Sequence, residues 1–230
     1  LISKNAAETL KKVHLELGGK GANIVFADAD EKAVRRGALH CFNNTGQSCN
    51  APTRMLVERS IYDQAVETAA STANALEVGL ASAKGRHMGP SVSETQYKKV
   101  QDLIQVGIDE GARLVAGGPG RPDGLNRGYF CRPTVFADVN NDMTIAREEI
   151  FGPVLCIIPY SSVDEAVAIA NDTEYGLSGY VYGATTDDAM AVARRLRTGM
   201  VHLNGAATDI MAPFGGYKQS GNGREGGSMG

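Results

Sequence analysis

Ala22-Asn23-Ile24-Val25-Phe26, then Ala33-Val34 with Ala38-Leu39, then Met55-Leu56-Val57 is the succession that decides the fold. The first run is short and apolar and reads as a buried strand. Asp28 or Asp30 offers an N-cap, and Ala33, Val34, Ala38 and Leu39 form the stripe of a helix. The third run is a strand again. The alternation continues. Ser60 with Asp63 opens a helix to about Leu76, carried by Ile61, Ala65, Ala69 and Ala73. Ser93 caps another to about Asp109, and Gly111 ends it. Strand character returns over 113–116, 134–136 and 154–158, with Pro159 ending the last of these. Ser162 and Glu165 form a capping box before 166–170. A strand over 177–182, a helix over 187–197 and a strand over 200–203 complete the pattern, and the glycine-rich remainder reads as ordered loop. Strands alternating with helices predict an α/β fold, a three-layer sandwich with a mainly parallel sheet.

The composition narrows the function. The 230 residues are enough for a substantial core, and 43% hydrophobic with 21% charged residues is ordinary for a globular chain. A formal charge of −3 offers no basic face to nucleic acid and no pull toward a membrane surface. No apolar run is long enough to span a bilayer. The start at Leu1 lacks an initiating Met and a secretory leader, so the chain reads as a processed or excised piece, and its unpaired thiols fit a reducing cytoplasm. The four cysteines, Cys41, Cys49, Cys131 and Cys156, form no zinc spacing, and no metal is expected. Cys41, Cys131 and Cys156 lie in apolar surroundings and read as small buried hydrophobes.

Two familiar patterns fail on context. Gly221-Asn222-Gly223-Arg224-Glu225-Gly226 spells a dinucleotide loop but has no strand before it and no room for a helix after it. Gly18-Gly19-Lys20 resembles the end of a phosphate loop, but His14 stands where the first Gly is needed. No histidine has catalytic spacing.

What survives is Cys49, in Gly46-Gln47-Ser48-Cys49, and Glu16, in Leu15-Glu16-Leu17-Gly18-Gly19-Lys20. A loop entering a short helical turn would lower the thiol's pKa and hold a developing oxyanion. Thiolate attack on a carbonyl gives a tetrahedral adduct, which either expels a leaving group or gives up hydride. Both routes end in a thioester, and Glu16 is placed to activate the water that cleaves it. A buried thiol and an ordinary surface carboxylate are the plainer alternative, and spacing does not decide between the two.

Five separated motifs in order bring in a resemblance. They are 15–20, Gly46-Gln47-Ser48-Cys49, Glu148-Glu149-Ile150-Phe151-Gly152-Pro153-Val154, Asn171-Asp172-Thr173-Glu174-Tyr175-Gly176-Leu177, and 213–221 with Pro213-Phe214-Gly215-Gly216. Over essentially its whole length the chain resembles the catalytic half of an NAD(P)-dependent aldehyde dehydrogenase. The resemblance implies Cys49 as nucleophile and Glu16 as base for deacylation. It implies Glu149 on the nicotinamide ribose, Phe151 near the nicotinamide, the Leu17 carbonyl on the carboxamide, and Gln96 and Lys99 toward the riboses. Ser48, Asn50 and Phe214 would line the aldehyde tunnel, Asn204 would support that region, and Lys218 would order its loop.

The cofactor would be NAD or NADP and the partner a small-molecule aldehyde, with the full-length parent a homo-oligomer. Residues 1–17 would be the remnant of a cofactor domain and 18–230 the catalytic domain. The upstream cofactor domain and a final oligomerisation strand are expected outside the chain. The Cys49 N–H is then the one oxyanion donor that can be placed, so the isolated chain is expected to oxidise aldehydes poorly. Three alternatives stand beside oxidation to the acid: CoA-acylating oxidation, which needs no Glu16; cofactor-independent ester hydrolysis, which needs no Glu149 or Phe151; and a non-catalytic fragment. The loop over 205–211 holds no aromatic residue, which disfavours a quaternary ammonium substrate.

Overall fold

The structure is a computed structural model and describes residues 1–207 and 209–228, so Thr208 of the expected substrate loop lies outside the described residues. A short helix α1 (Ile2–Ala7) and β1 (Leu15–Glu16) precede the central sheet. That sheet contains β2 (Ala22–Val25), β3 (Arg54–Glu58), β4 (Arg113–Ala116), β5 (Thr134–Ala137), β6 (Val154–Tyr160), β7 (Ser178–Tyr182) and β8 (Met200–Leu203). Its order is β4-β5-β6-β3-β2-β7-β8, and every pair is parallel except the edge pair β4 and β5.

Helices cover both faces, which gives the three layers the alternation predicts. α2 (Ala33–Phe42) and α3 (Tyr62–Asn74) close one apolar cluster. α4 (Glu94–Asp109), α5 (Thr144–Arg147), α6 (Val163–Asn171) and α7 (Thr186–Ala193) close the other. The run along β6 shows why: Val154, Cys156 and Ile158 join one cluster, Leu155 and Ile157 the other. A strand covered on both faces needs an unbroken apolar run, not an alternating one.

Several local expectations need correction. The strand does not stop at Pro159 but runs to Tyr160. Cys156 donates its N–H toward β3, so the proline's missing N–H falls on the opposite side, where β5 has already ceased to pair. Ser60 caps nothing; its hydroxyl bonds Glu58, and α3 starts without a side-chain cap. Asp30, not Asp28, bonds the Lys32 N–H ahead of α2. The helix expected over 187–197 is α7 and ends at Ala193; Thr185 caps it. Cys131 is buried but lies outside any strand. Ser93 and Ser162 do cap their helices as expected.

The tail returns to the start of the chain. β9 (Gly221–Asn222) pairs antiparallel with β1, Glu16 opposite Gly221. The literal G-x-G-x-x-G is thus partly a strand, and it tethers the segment that carries Glu16.

Candidate active site

The segments singled out by sequence meet at one rim of the sheet, where the parallel strands start. Glu16 to Lys20 leads into β2, Ser48 to Thr53 into β3, Glu149 to Pro153 into β6, and Tyr175 to Leu177 into β7. Residues far apart in sequence converge because parallel neighbours begin side by side.

Cys49 Sγ lies 3.7 Å from Glu16 Oε2, so the thiol donates to the carboxylate. The other oxygen, Glu16 Oε1, is buried and has no partner among the described residues. Burial raises the Glu16 pKa, the thiol's hydrogen bond opposes this, and the nearby Glu225 and Glu149 carboxylates add to the rise. Burial also pushes the Cys49 thiol up to about 11, with the Glu16 charge and hydrogen bond adding to it. The backbone N–H groups of Asn50 and Cys49 pull it down by a smaller amount. The expected helical turn after Cys49 is absent. Residues 49–50 form a simple turn in which Ala51 donates to the Ser48 carbonyl, so no helix terminus depresses the pKa. Cys49 is therefore a thiol at neutral pH, hydrogen-bonded to a group able to take its proton.

The turn is held rigidly. Asn44 (φ 51), Thr45 (φ 60) and Gly46 (φ 69) are all left-handed, which is costly for a β-branched residue and needs outside support. Gln47 and Asn44 bond each other's carbonyls, the Val92 N–H donates to Gln47 Oε1, and Thr45 donates to the Gly89 carbonyl. A Cβ at Gly19 would collide with the Cys49 carbonyl, so glycine lets the segment leading into β2 pass close against the Cys49 turn.

The Glu149 carboxylate sits over Gly18-Gly19, accepting the Gly19 N–H at 2.9 Å through Oε1. Phe151 takes φ 54. Gln96 donates to the Ile150 and Phe151 carbonyls at 2.9 and 2.8 Å, and Lys99 donates to the Glu149 carbonyl at 2.7 Å. Gln96 and Lys99 thus hold the loop that presents Glu149 and Phe151. Leu17 is half exposed beside Glu16 and donates its N–H to Ser220. Ser48 and Asn50 flank the thiol, and both are partly exposed. Phe214 is farther along the chain, fixed by two backbone bonds to Glu225, and lines an apolar cleft of about 830 Å³ beside β8. Cys49 does not line that cleft. Asn204 accepts the Gly183 N–H, and Lys218 bonds the Asn171 and Thr173 carbonyls.

Four further residues of this rim have no site role assigned from the sequence. Arg54 is buried and donates to the Lys20, Ile169 and Ala170 carbonyls and to Asn141. Lys20 is buried, its ammonium without a partner among the described residues, and burial lowers its pKa. Ser178 and Tyr180 both donate to the Asn50 carbonyl. A hydroxyl at every second position of an apolar strand (Ser178, Tyr180, Tyr182) was the available signal.

The arrangement can bring a thiol to a carbonyl carbon, take its proton, and offer two backbone N–H groups near the new oxyanion. The aldehyde dehydrogenase family model matches residues 1–230. A 3-succinoylsemialdehyde-pyridine dehydrogenase from a Pseudomonas species is 57% identical over 231 residues, covering all of this chain and 48% of the relative. The chain thus spans about half the length of the curated relatives it matches. An aldehyde dehydrogenase from Bartonella henselae superimposes with a TM-score of 0.96 at 58% identity, over 99% of this chain and 48% of that one. A mutant aldehyde dehydrogenase C from Pseudomonas syringae, bound to NAD+ and octanal, gives a TM-score of 0.97 at 52% identity, over 99% of this chain and 47% of that one.

Proposed function

Because this chain belongs to the aldehyde dehydrogenase family, we propose that it carries the thiol and the carboxylate of an NAD(P)-dependent oxidation of aldehydes to carboxylates. One observation carries this reading: Cys49 Sγ is 3.7 Å from Glu16 Oε2, and the second oxygen of that buried carboxylate has no partner among the described residues. The octanal and NAD+ bound by the Pseudomonas syringae relative point to the same chemical classes here.

In this mechanism Glu16 takes the thiol proton as sulfur bonds to the aldehyde carbon. The former carbonyl oxygen gains charge beside the N–H groups of Cys49 and Asn50. NAD(P)+ supplies, when bound, the acceptor for the hydride leaving that carbon. A thioester remains on Cys49. Glu16, its proton passed to solvent, then takes a proton from water as the water oxygen attacks the thioester carbon. The carbon–sulfur bond breaks, and the carboxylate departs from the thiol.

The residues present fit the nicotinamide end of the cofactor. Glu149 presents a carboxylate beside Gly18, where a Cβ would occupy its space, and among the described residues only its Oε1 has a partner, the Gly19 N–H. Its free oxygen would hold a ribose hydroxyl, with Phe151 and the Leu17 carbonyl flanking the ring and Gln96 and Lys99 fixing the loop. Ser48, Asn50 and Phe214 would border the aldehyde.

Cys49→Ala in the full-length polypeptide tests the reading. Aldehyde oxidation is expected to fall by on the order of 10⁴-fold or more, with loss of active-site thiol labelling. Undiminished turnover would remove Cys49 from the mechanism.

A further inference from the structure

Two buried hydroxyls from one strand converge on one carbonyl of the nucleophile's turn. Tyr180 OH donates to the Asn50 carbonyl at 2.8 Å and Ser178 Oγ donates to the same oxygen at 3.1 Å. Both residues are almost fully buried, at 4% and 2% exposure. A carbonyl has two lone pairs, and two donors leave its peptide plane little freedom to rotate.

The preceding peptide is blocked as well. The Cys49 carbonyl lies against Gly19 so closely that no Cβ fits between them. The two peptide planes on either side of Asn50 are thus fixed from behind. The first of these planes carries the Asn50 N–H; the second carries the Ala51 N–H, which donates to the Ser48 carbonyl at 3.0 Å and so fixes the plane that carries the Cys49 N–H. Those Cys49 and Asn50 N–H groups favour the Cys49 thiolate.

Tyr180 is itself clamped. His202, its register partner on β8, stacks on the ring with centroids 4.9 Å apart and planes 11° apart. His40 of α2 meets it edge-on at 4.9 Å and 83°. A buried tyrosine needs a partner for its hydroxyl. Pinning the ring between two imidazoles fixes which partner it can reach.

We infer that Tyr180 and Ser178 are positioning residues for the nucleophile: by holding the Asn50 carbonyl, they keep the backbone donors of the Cys49 turn aimed at sulfur and at the oxyanion that forms there. This deepens the reading of Cys49 as nucleophile and rests on it. His40 and His202 act one step back, by orienting the Tyr180 ring.

The test is the pH profile of Cys49 alkylation by iodoacetamide, read by mass spectrometry of the peptide holding residue 49. The other three thiols are buried. Tyr180→Phe keeps the ring between its imidazoles and removes only the hydroxyl; Ser178→Ala removes the second donor. Each single variant is expected to slow alkylation about threefold below the titration midpoint. The double variant is expected to slow it about tenfold, with the midpoint raised by about one pH unit. If the double variant does not melt cooperatively, Ser178→Ala alone is read against the same expectation. A midpoint and rate unchanged in folded variants would overturn the inference, since hydroxyls that merely fill space would leave the thiol's titration alone. The assay contains no aldehyde and no nucleotide. A shifted alkylation profile beside undiminished aldehyde turnover in Cys49→Ala would discard the oxidation reading and keep the positioning one. The reverse pair of results would discard positioning alone.

Discussion

The two rims of the central sheet handle their polar groups in opposite ways. Where the strands end, carboxylates close loops: Glu58 accepts the Ala27 N–H and the Ser60 hydroxyl, and Glu165 accepts the Ser161 N–H. Where the strands start, Glu16 Oε1, Lys20 Nζ and Thr53 Oγ1 are buried and unpaired among the described residues. Left-handed non-glycine residues occur at both rims, but those after strand ends, Asp138 and Asn204, are types that tolerate the conformation, whereas the strand-start rim places Thr45 and Phe151 there. Unpaired buried groups and strained backbone are each costly, and they collect where a site has use for them. Open parallel sheets commonly place ligands at the carboxyl ends of their strands. Here the proposed site lies at the opposite rim, because Gly18-Gly19, the Cys49 turn and the Glu149 loop all lead into strands that begin side by side.

Substitutions on the two rims should therefore diverge, and the largest effect falls beneath the site. Arg54→Met strips the hydrogen bonds from three carbonyls and from Asn141. Leaving these buried acceptors without a donor is expected to cost about 3–5 kcal/mol in all, seen as a melting temperature lower by roughly 10 °C. A shift of only a degree or two would mean that the strand-start rim is not held by this arginine.

Gly19→Ala is the next largest. Its Cβ would push on the Cys49 carbonyl, and displacing a reacting group by about 1 Å costs about 10²-fold in rate. Turnover at saturating aldehyde is the readout, and full activity would show that the turn tolerates movement. The pH dependence comes third. Glu16 must be ionised to take a proton, and burial raises its pKa above the ordinary value of 4.5. Thioester hydrolysis should therefore fall as pH drops through that raised value, about tenfold per unit below it. Stopped-flow deacylation with an activated acyl donor would locate the limb, and a limb at or below 4.5 would contradict the burial argument. The smallest effect belongs to the other rim. Glu58→Gln and Glu165→Gln should each cost about 1 kcal/mol or less, given their exposure, and leave activity unchanged. A marked loss of activity from either would erase the distinction between the rims.

Much of this was legible in the sequence, for identifiable reasons. The run from Val154 to Ile158 announces a strand covered on both faces because five consecutive buried positions leave no polar alternation. Cys49 and Glu16 stand out because a thiol and a carboxylate in glycine-bearing turns are chemically conspicuous. The boundary at Pro159 was misread because a missing N–H matters only on a paired side, and pairing is a tertiary fact. The expected helix start after Cys49 was misread because Ser48 and Asn50 are as suitable for a tight turn as for a helix entrance. Ser178 and Tyr180 show in the sequence only as hydroxyls alternating along an apolar strand, because their role depends on a carbonyl more than a hundred residues earlier. The same holds for Arg54, which looks like any arginine at a strand start until its carbonyl partners are seen.

The most direct test of the account is to catch the acyl group on sulfur. Full-length polypeptide carrying Glu16→Gln would be mixed with octanal and NAD+, quenched in acid and analysed by mass spectrometry. The account predicts an octanoyl adduct on the peptide containing Cys49, formed more slowly than in the wild type because solvent must take the thiol proton in place of Glu16, accompanied by about one equivalent of NADH, and persisting because no carboxylate activates water. Steady release of octanoate at the wild-type rate, with residue 49 unmodified, would contradict it.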